Sequence, residues 1–96
     1  MRTRGTTERW EDTSLHLTVH CRMKMVERSI SELDIERTVH DPSCRWPAAP
    51  RYGLGRFVHE GAGLRVVTGT PRSTGDVDVI TAYWLAADGW TGEVAA

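Results

Sequence analysis

The sequence predicts a single α+β domain in which two N-terminal helices pack on one face of a three- to four-stranded antiparallel sheet. Three observations favour this class. Apolar residues recur at helical spacing within residues 19–40, whereas β-branched and aromatic residues dominate residues 54–85. The chain has 96 residues, of which 40% are hydrophobic, and this is enough for one modest core. Because the helices precede the strands instead of alternating with them, an α+β arrangement is expected.

The chain is expected to begin with a loose arm. Residues 1–14 are polar and rich in threonine, and Trp10 is their main apolar side chain. The folded domain is therefore predicted to span residues 15–96. Alternation of apolar and polar residues over 15–19 predicts a short strand, and Thr18 can serve as the N-cap of the helix that follows.

A first helix is predicted over residues 19–29, where the apolar period becomes that of a helix. The residues expected to face the core are Val19, Met23, Val26 and Ile30. His20, Lys24 and Arg28 recur every four residues, so they form a second row along the same helix. We expect this row to line the rim of a cleft at the edge of the sheet.

A second helix is predicted to begin after Ser31 and to end before Pro42. Ser31 and Asp34 match a variant of the capping box in which aspartate replaces the usual glutamate or glutamine. Pro42 disfavours helical geometry in the residue before it. Residues 41–55 contain three prolines and two glycines, which indicates a connection, and Trp46 is expected to pin this connection to the core.

Three strands are predicted after this connection, because the residues there are rich in β-branched and aromatic types. Their ranges are 54–60, 64–70 and 76–85. Residues 60–63 predict a tight hairpin turn, and residues 71–75 a looser one. The tail, residues 86–96, either adds a short edge strand or stays loose, and Trp90 within it is a candidate for a surface that contacts a partner.

Positive charge is concentrated in the middle of the chain. The net charge is −1, yet residues 42–75 hold five arginines against a single acid, Glu60. A segment of this kind either faces an anion or forms a solvated strand surface, and composition leaves both interpretations open.

Composition also predicts a cytoplasmic location. No run of 18 or more apolar residues is present, and the basic N-terminus is not followed by the apolar stretch of a secretory signal. The two cysteines, Cys21 and Cys44, are too few for a disulfide framework, so we expect reduced, unbridged thiols.

Several short motifs recur in a recognisable order. They comprise His20, Lys24, Met25, Arg28, Ile30 and Ser31, then Gly55, Arg56, Leu64, Arg65, Val66 and Val67, and finally Ile80, Thr81 and Tyr83. Over about residues 15–84 the chain thereby resembles the bacterial family catalogued as domain of unknown function 4258. That family is in turn similar to RelE-like ribonuclease toxins, which implies a helical pair against an antiparallel sheet. The chain departs from the family at Ser29, where glycine is usual, and at Lys24, where arginine is usual.

This resemblance implies a metal-independent ribonuclease of toxin type, blocked by an inhibitory protein partner. RNA cleavage without a metal needs a group that transfers protons near neutral pH and cations that stabilise the developing charge. His20, Arg28 and Tyr83 are therefore the candidate catalytic residues. The candidate substrate-binding residues are Lys24, Arg56, Arg65 and Thr81. The hypothesis requires the two sets to meet in one cleft.

Other interpretations of the same residues stay open. His20 can bond a loop carbonyl and Arg28 can pair with Glu32, in which case both are structural. The domain can also be non-catalytic and bind a protein partner or a small ligand through its open sheet face. Histidines and cysteines near each other are His16, His20, Cys21, His40 and Cys44, but their spacing matches no zinc motif, and no cofactor is expected.

Overall fold

The computed structural model describes residues 10–85, which form two helices packed on a five-stranded mixed sheet. The helices are α1 (Val19–Arg28) and α2 (Glu32–His40). The strands are β1 (Ser14–Leu17), β2 (Cys44–Pro47), β3 (Phe57–Gly61), β4 (Leu64–Thr68) and β5 (Asp76–Trp84). Short 3-10 turns occupy Trp10–Asp12 and Pro50–Tyr52. The predicted α+β class is therefore confirmed.

The sheet differs from the predicted three- to four-stranded antiparallel one. Its strand order is β1-β5-β4-β3-β2, and β1 runs parallel to β5 while the other neighbours are antiparallel. The strand β2 lies inside the segment that was predicted to be a connection. Its proline, Pro47, is tolerated because β2 is an edge strand, where one side of the backbone makes no ladder bonds. A segment with three prolines is typical of a loop, so composition did not predict this strand.

A bulge in β5 changes which residues face the helices. Val67 of β4 pairs with Thr81, and the next residue, Thr68, pairs with Val79, so Ile80 is an extra residue without a partner in β4. Core-facing positions of β5 are consequently odd-numbered before the bulge and even-numbered after it.

The predicted ends of α1 are close to those observed. The Thr18 hydroxyl accepts a hydrogen bond from the Cys21 amide at 3.1 Å, which confirms Thr18 as the N-cap. The helix ends at Ser29, whose φ of 56° lies in the left-handed region that favours glycine.

The predicted core-facing stripe of α1 is wrong apart from Ile30. Val19, Met23 and Val26 are 76%, 56% and 83% exposed, whereas the core contains Cys21 and Met25. Two hydrogen-bonding side chains set this rotation of the helix, because Thr18 and Arg28 both reach backbone carbonyls of β5. The buried side of α1 is the side that carries these two residues.

Trp10, which the sequence placed in a loose arm, lies in the core with only 5% of its surface exposed. The Thr13 carbonyl is hydrogen-bonded to Nε2 of His40 at 3.0 Å, which joins this segment to the end of α2.

The predicted capping box of α2 is confirmed, since Ser31 and Asp34 bond each other's backbone amides. The rest of the predicted arm lies outside the described residues, as do Trp90 and the tail.

The core lies between the helices and one face of the sheet. Its apolar members are Trp10, Leu17, Cys21, Met25, Ile30, Ile35, Val39, Leu64, Val66, Val77, Val79 and Ala82. Trp46, which was expected to pin its connection to this core, is only half-buried and lies on the other face of the sheet, opposite Val58 in the β2–β3 register. Neither helix within residues 10–85 has the length and apolar character that crossing a bilayer requires.

The two methionines of α1 allow a direct test of the observed rotation. We expect Met25→Ala to lower the free energy of unfolding by about 2–4 kcal/mol, because it leaves a cavity in the core. Met23→Ala on the opposite side should change it by less than about 0.5 kcal/mol. Urea unfolding of both variants measures the two values, and equal effects would show that the helix is rotated differently.

Candidate functional site

The structure separates the predicted catalytic residues onto two sides of the sheet. His20 is exposed on α1, and α1 packs on the face that holds Val66 and Ala82. Tyr83 follows Ala82 directly in β5 and pairs with Arg65, so both side chains lie on the face away from the helices. His20 and Tyr83 therefore do not share a cleft.

Arg28 has a structural role that the sequence did not reveal. Its Nη1 donates a hydrogen bond to the Ala82 carbonyl at 2.6 Å, while its own carbonyl accepts one from Trp84 Nε1 at 2.7 Å. Arg28 thus joins the end of α1 to β5. Its predicted alternative partner, Glu32, is paired with Arg22 at 3.8 Å.

Two other cations of the predicted substrate site, Lys24 and Arg56, have contacts of their own. Lys24 pairs with Glu27 of the same helix at 3.3 Å. Arg56 lies immediately before β3, and its guanidinium packs so closely on Gly53 that a Cβ there would be 3.1 Å from Arg56 Cζ.

Three of the seven predicted site residues do share a surface. Arg65, Thr81 and Tyr83 lie on the face of the sheet away from the helices. Together with Trp46 and Glu60 they form what we call the sheet-face cluster. Every member projects from a strand, so the strand register fixes their relative positions.

Arg65 is the centre of the sheet-face cluster. Its Nη2 donates a hydrogen bond to Glu60 Oε1 at 2.8 Å, and its Cζ lies 5.3 Å from the ring centroid of Trp46 and 6.0 Å from that of Tyr83. Burial works to lower the pKa of Arg65, but hydrogen bonds to Glu60 and Tyr83 outweigh it and raise that pKa. The guanidinium therefore lies within cation–π distance of two aromatic rings.

Thr81 adds an unsatisfied polar group to this cluster. Only 6% of its surface is exposed, and its Oγ1 has no hydrogen-bond partner among the described residues. A buried hydroxyl without a partner costs about 1–3 kcal/mol, so such groups are uncommon in folded proteins. On the same face Thr81 is followed by Tyr83, two residues along β5.

A second polar region lies at the opposite end of β5. An open cavity of about 600 Å³ is lined by Ser14, Leu15, His16, Arg72, Asp76 and Asp78. Arg72 bonds Asp76 and also donates to Asp78 at 2.7 Å, so both carboxylates share this one cation in the cavity wall. Residues 10–85 contain no group of three or more His, Cys, Asp or Glu side chains placed to hold a metal ion. Both thiols are free, with Cys21 buried and Cys44 exposed.

A buried polar network around His59 was missed by the sequence analysis. Nε of Arg45 donates a hydrogen bond to His59 Nδ1 at 2.9 Å. Because Nδ1 accepts, the proton of the neutral imidazole is on Nε2. Nε2 in turn donates a hydrogen bond to Thr68 Oγ1 at 2.8 Å. Nη2 of Arg45 bonds the Val39 carbonyl near the end of α2 at 2.7 Å. Trp10 packs edge-on against His59 with ring centroids 4.5 Å apart. This network links α2, β2, β3 and β4. No surface of His59 is exposed, so a substrate in solution does not reach the imidazole.

The sequence contained one usable signal for this network. Alternation along β3 places His59 on the same face as Gly61 and Phe57, and opposite Val66 of β4. Nothing in the spacing indicated that Arg45, inside a proline-rich segment, would supply the partner.

Comparison with known proteins yields no relative: no family model matches the chain, and no curated protein or solved structure matches it. The resemblance to the family of domain of unknown function 4258 therefore stays a prediction that depends on its short motifs.

Protonation of His59 should make stability depend on pH. Burial, and secondarily the charge of Arg45, lowers the pKa of His59 from 6.5 to about 3 in the folded protein. Between those pH values the unfolded chain binds a proton that the folded chain does not, so the free energy of unfolding falls as the pH is lowered.

We expect wild type to lose about 1.4 kcal/mol more per pH unit than His59→Gln between about pH 5.5 and 4. Urea unfolding at each pH measures both slopes, and comparing slopes removes the constant cost of the substitution. Equal slopes would mean that His59 is protonated in the folded state.

Arg28 and His20 should differ in their effect on stability. Arg28→Ala removes the bond to Ala82 and leaves a half-buried carbonyl without it, so the free energy of unfolding should fall by about 1–3 kcal/mol. His20→Ala, at an exposed position, should change it by less than about 0.5 kcal/mol. Thermal unfolding of the two variants measures both effects. An unchanged melting temperature for Arg28→Ala would restore Arg28 as a candidate catalytic residue.

Proposed function

We propose that this protein is a non-catalytic domain that binds a protein partner through the sheet-face cluster. The observation that carries the proposal is the contact of Arg65 with both Trp46 and Tyr83 on the face of the sheet away from the helices. Trp, Tyr and Arg are the residue types that most often dominate the binding energy of protein interfaces.

The cluster is ordered before any partner arrives. Glu60 fixes the guanidinium of Arg65, and the two rings flank it. Since ordering long side chains at an interface costs about 0.5–1.5 kcal/mol each, a preformed cluster spares part of that cost.

Charge favours a protein over a nucleic acid as the partner. The central arginines are largely engaged within the domain: Arg45 with His59, Arg65 with Glu60, and Arg72 with Asp76 and Asp78. A phosphate would have to compete with Glu60 for Arg65.

Ribonuclease activity stays a prediction with less geometric support. It needs His20 and Arg28 beside Tyr83, whereas His20 is exposed on α1, Arg28 is bonded to the Ala82 carbonyl, and Tyr83 lies on the face away from the helices. The predicted RNA substrate and the inhibitory partner depend on that activity. A cytoplasmic location is part of our proposal, because an exposed free thiol, Cys44, is compatible with a reducing compartment.

The proposal is tested by quantitative affinity capture from cell extract with four immobilised proteins. These are wild type, Arg65→Ala, His20→Ala and Leu54→Ala, the last being a control at an exposed apolar residue outside the cluster. We expect one captured protein to bind wild type, His20→Ala and Leu54→Ala in equal amounts. The amount bound to Arg65→Ala should be lower by about tenfold or more.

The same four proteins are incubated with total RNA in EDTA. No cleavage is expected from any of them. Two results would contradict the proposal. One is RNA cleavage by wild type that is lost in His20→Ala. The other is a captured protein that binds Arg65→Ala as well as it binds wild type. Circular dichroism confirms that each variant is folded, since a pair such as Arg65–Glu60 contributes only about 0–1 kcal/mol.

A further inference from the structure

We propose that residues 86–96 of this chain bind back on the exposed side of α1. That side carries Val19, Met23 and Val26, which we call the α1 stripe. The stripe projects from the outer side of the helical layer, so it is separate from the sheet-face cluster and from the function proposed for that cluster.

The α1 stripe is an apolar line that residues 10–85 leave uncovered. Its members are 76%, 56% and 83% exposed, and their spacing of four and then three residues places them on one side of the helix. Cys21 and Met25 occupy the opposite side, in the core. A helix that covers a single core needs only one apolar side, so the stripe is available for another contact.

The segment that follows Leu85 begins beside the C-terminal end of α1. Trp84 Nε1 donates a hydrogen bond to the Arg28 carbonyl at 2.7 Å, and Leu85 is the next residue of the chain. The stripe runs back from this end of the helix over about 10 Å. Trp90 and Val94 are the fifth and ninth residues after Leu85, so an extended chain carries them up to about 17 Å and 30 Å from it. Both side chains are therefore within reach of the stripe.

The apolar residues of the segment suit the stripe. Trp90 and Val94 are its two largest apolar side chains, and a tryptophan buries about 150–250 Å² when it is fully packed. A methionine sulfur packs favourably against an aromatic ring, and Met23 stands at the middle of the stripe.

Charge also favours this segment as the occupant. Three cations and one acid lie on α1, namely Arg22, Lys24, Arg28 and Glu27. Glu32 of α2 pairs with Arg22 at 3.8 Å, and the cations still exceed the acids. Residues 86–96 hold two acids and no basic residue, so their charge is opposite to that of α1. The sheet-face cluster has no such excess, because Glu60 pairs with Arg65.

A contact of this size is sufficient for a tethered segment. A stable interface between separate proteins buries about 800 Å² per partner, which is more than three side chains supply. A segment on a short linker instead meets its site at an effective concentration of about 1 mM, so a contact with a Kd of about 1 mM is occupied about half of the time. Such docking changes the unfolding equilibrium constant only about twofold, which agrees with the small effect expected for Met23→Ala.

Paramagnetic NMR of the full chain tests the contact. A nitroxide is attached at Thr91→Cys, beside Trp90, after Cys44→Ser has removed the exposed thiol, and Cys21 does not react because it is buried. We expect the amide signals of α1 to weaken by about threefold or more relative to the same sample with the nitroxide reduced. The amide signals of β2 and β3 should weaken less.

Two variants of the labelled chain separate docking from mere proximity. Val26→Glu places a carboxylate in the apolar contact and Trp90→Ala removes the large ring, so each should lower the docked fraction by about fivefold or more. Leu54→Glu is the matched control, since Leu54 is 85% exposed and lies outside α1, and it should leave the broadening of α1 unchanged. Circular dichroism confirms that each variant is folded.

A mixed sample distinguishes the chain's own segment from that of a second copy. Isotope-labelled chains without nitroxide are mixed with nitroxide-labelled chains without isotope, at about 0.1 mM each. A Kd of about 1 mM leaves only about a tenth of the chains in contact, so we expect little broadening of α1 in this sample.

Three results would overturn the proposal. The first is broadening of α1 that both Val26→Glu and Trp90→Ala leave unchanged. The second is stronger broadening of β2 and β3 than of α1, which would place the segment on the sheet-face cluster. The third is broadening in the mixed sample as strong as in the single labelled chain, which would identify a second copy as the source.

Discussion

The hydrogen bonding of β5 on both sides is the constraint on which the rest of the fold depends. One side pairs with β4 along most of its length, while the other side pairs with β1 only up to Val79. Beyond that point the partners of this side come from α1 and its N-cap. Thr18 donates a hydrogen bond to the Val79 carbonyl, and Arg28 donates one to the Ala82 carbonyl. These two bonds fix the position and rotation of α1, and thereby decide which residues enter the core and which remain outside.

Local chemistry made both helices and four of the five strands predictable, whereas the orientation of α1 depended on distant partners. Thr18, Ser31 and Asp34 act within their own helix ends, so sequence spacing was enough to place both caps. The rotation of α1 could not be predicted in this way, because a count of apolar residues favours the stripe at Val19. The two hydrogen-bond partners of Arg28 in β5 lie 54 and 56 residues away along the chain, and no local pattern predicts them.

The candidate site was half predictable for a related reason. Alternation along β4 and β5 places Arg65 and Tyr83 on one face, and the register brings them side by side. His20 was assigned to the same site through the row it forms with Arg28, but that row belongs to the helical layer. Arg45 shows the other limit, since a cation in a proline-rich segment became the partner of a buried imidazole. Charge counted along the chain therefore overstated the positive surface of the folded domain.

The way in which α1 closes β5 also bears on the solubility of the folded protein. A strand with free carbonyl and amide groups is a template for adding strands from other molecules, the route to fibrils. The far half of β5 is rich in β-branched and aromatic residues, yet Thr18 and Arg28 occupy its outer carbonyls. The strands left at the two ends of the sheet, β1 and β2, have four residues each, and β2 contains a proline. Loss of Arg28 would therefore leave the Ala82 carbonyl free on an edge rich in β-branched and aromatic residues.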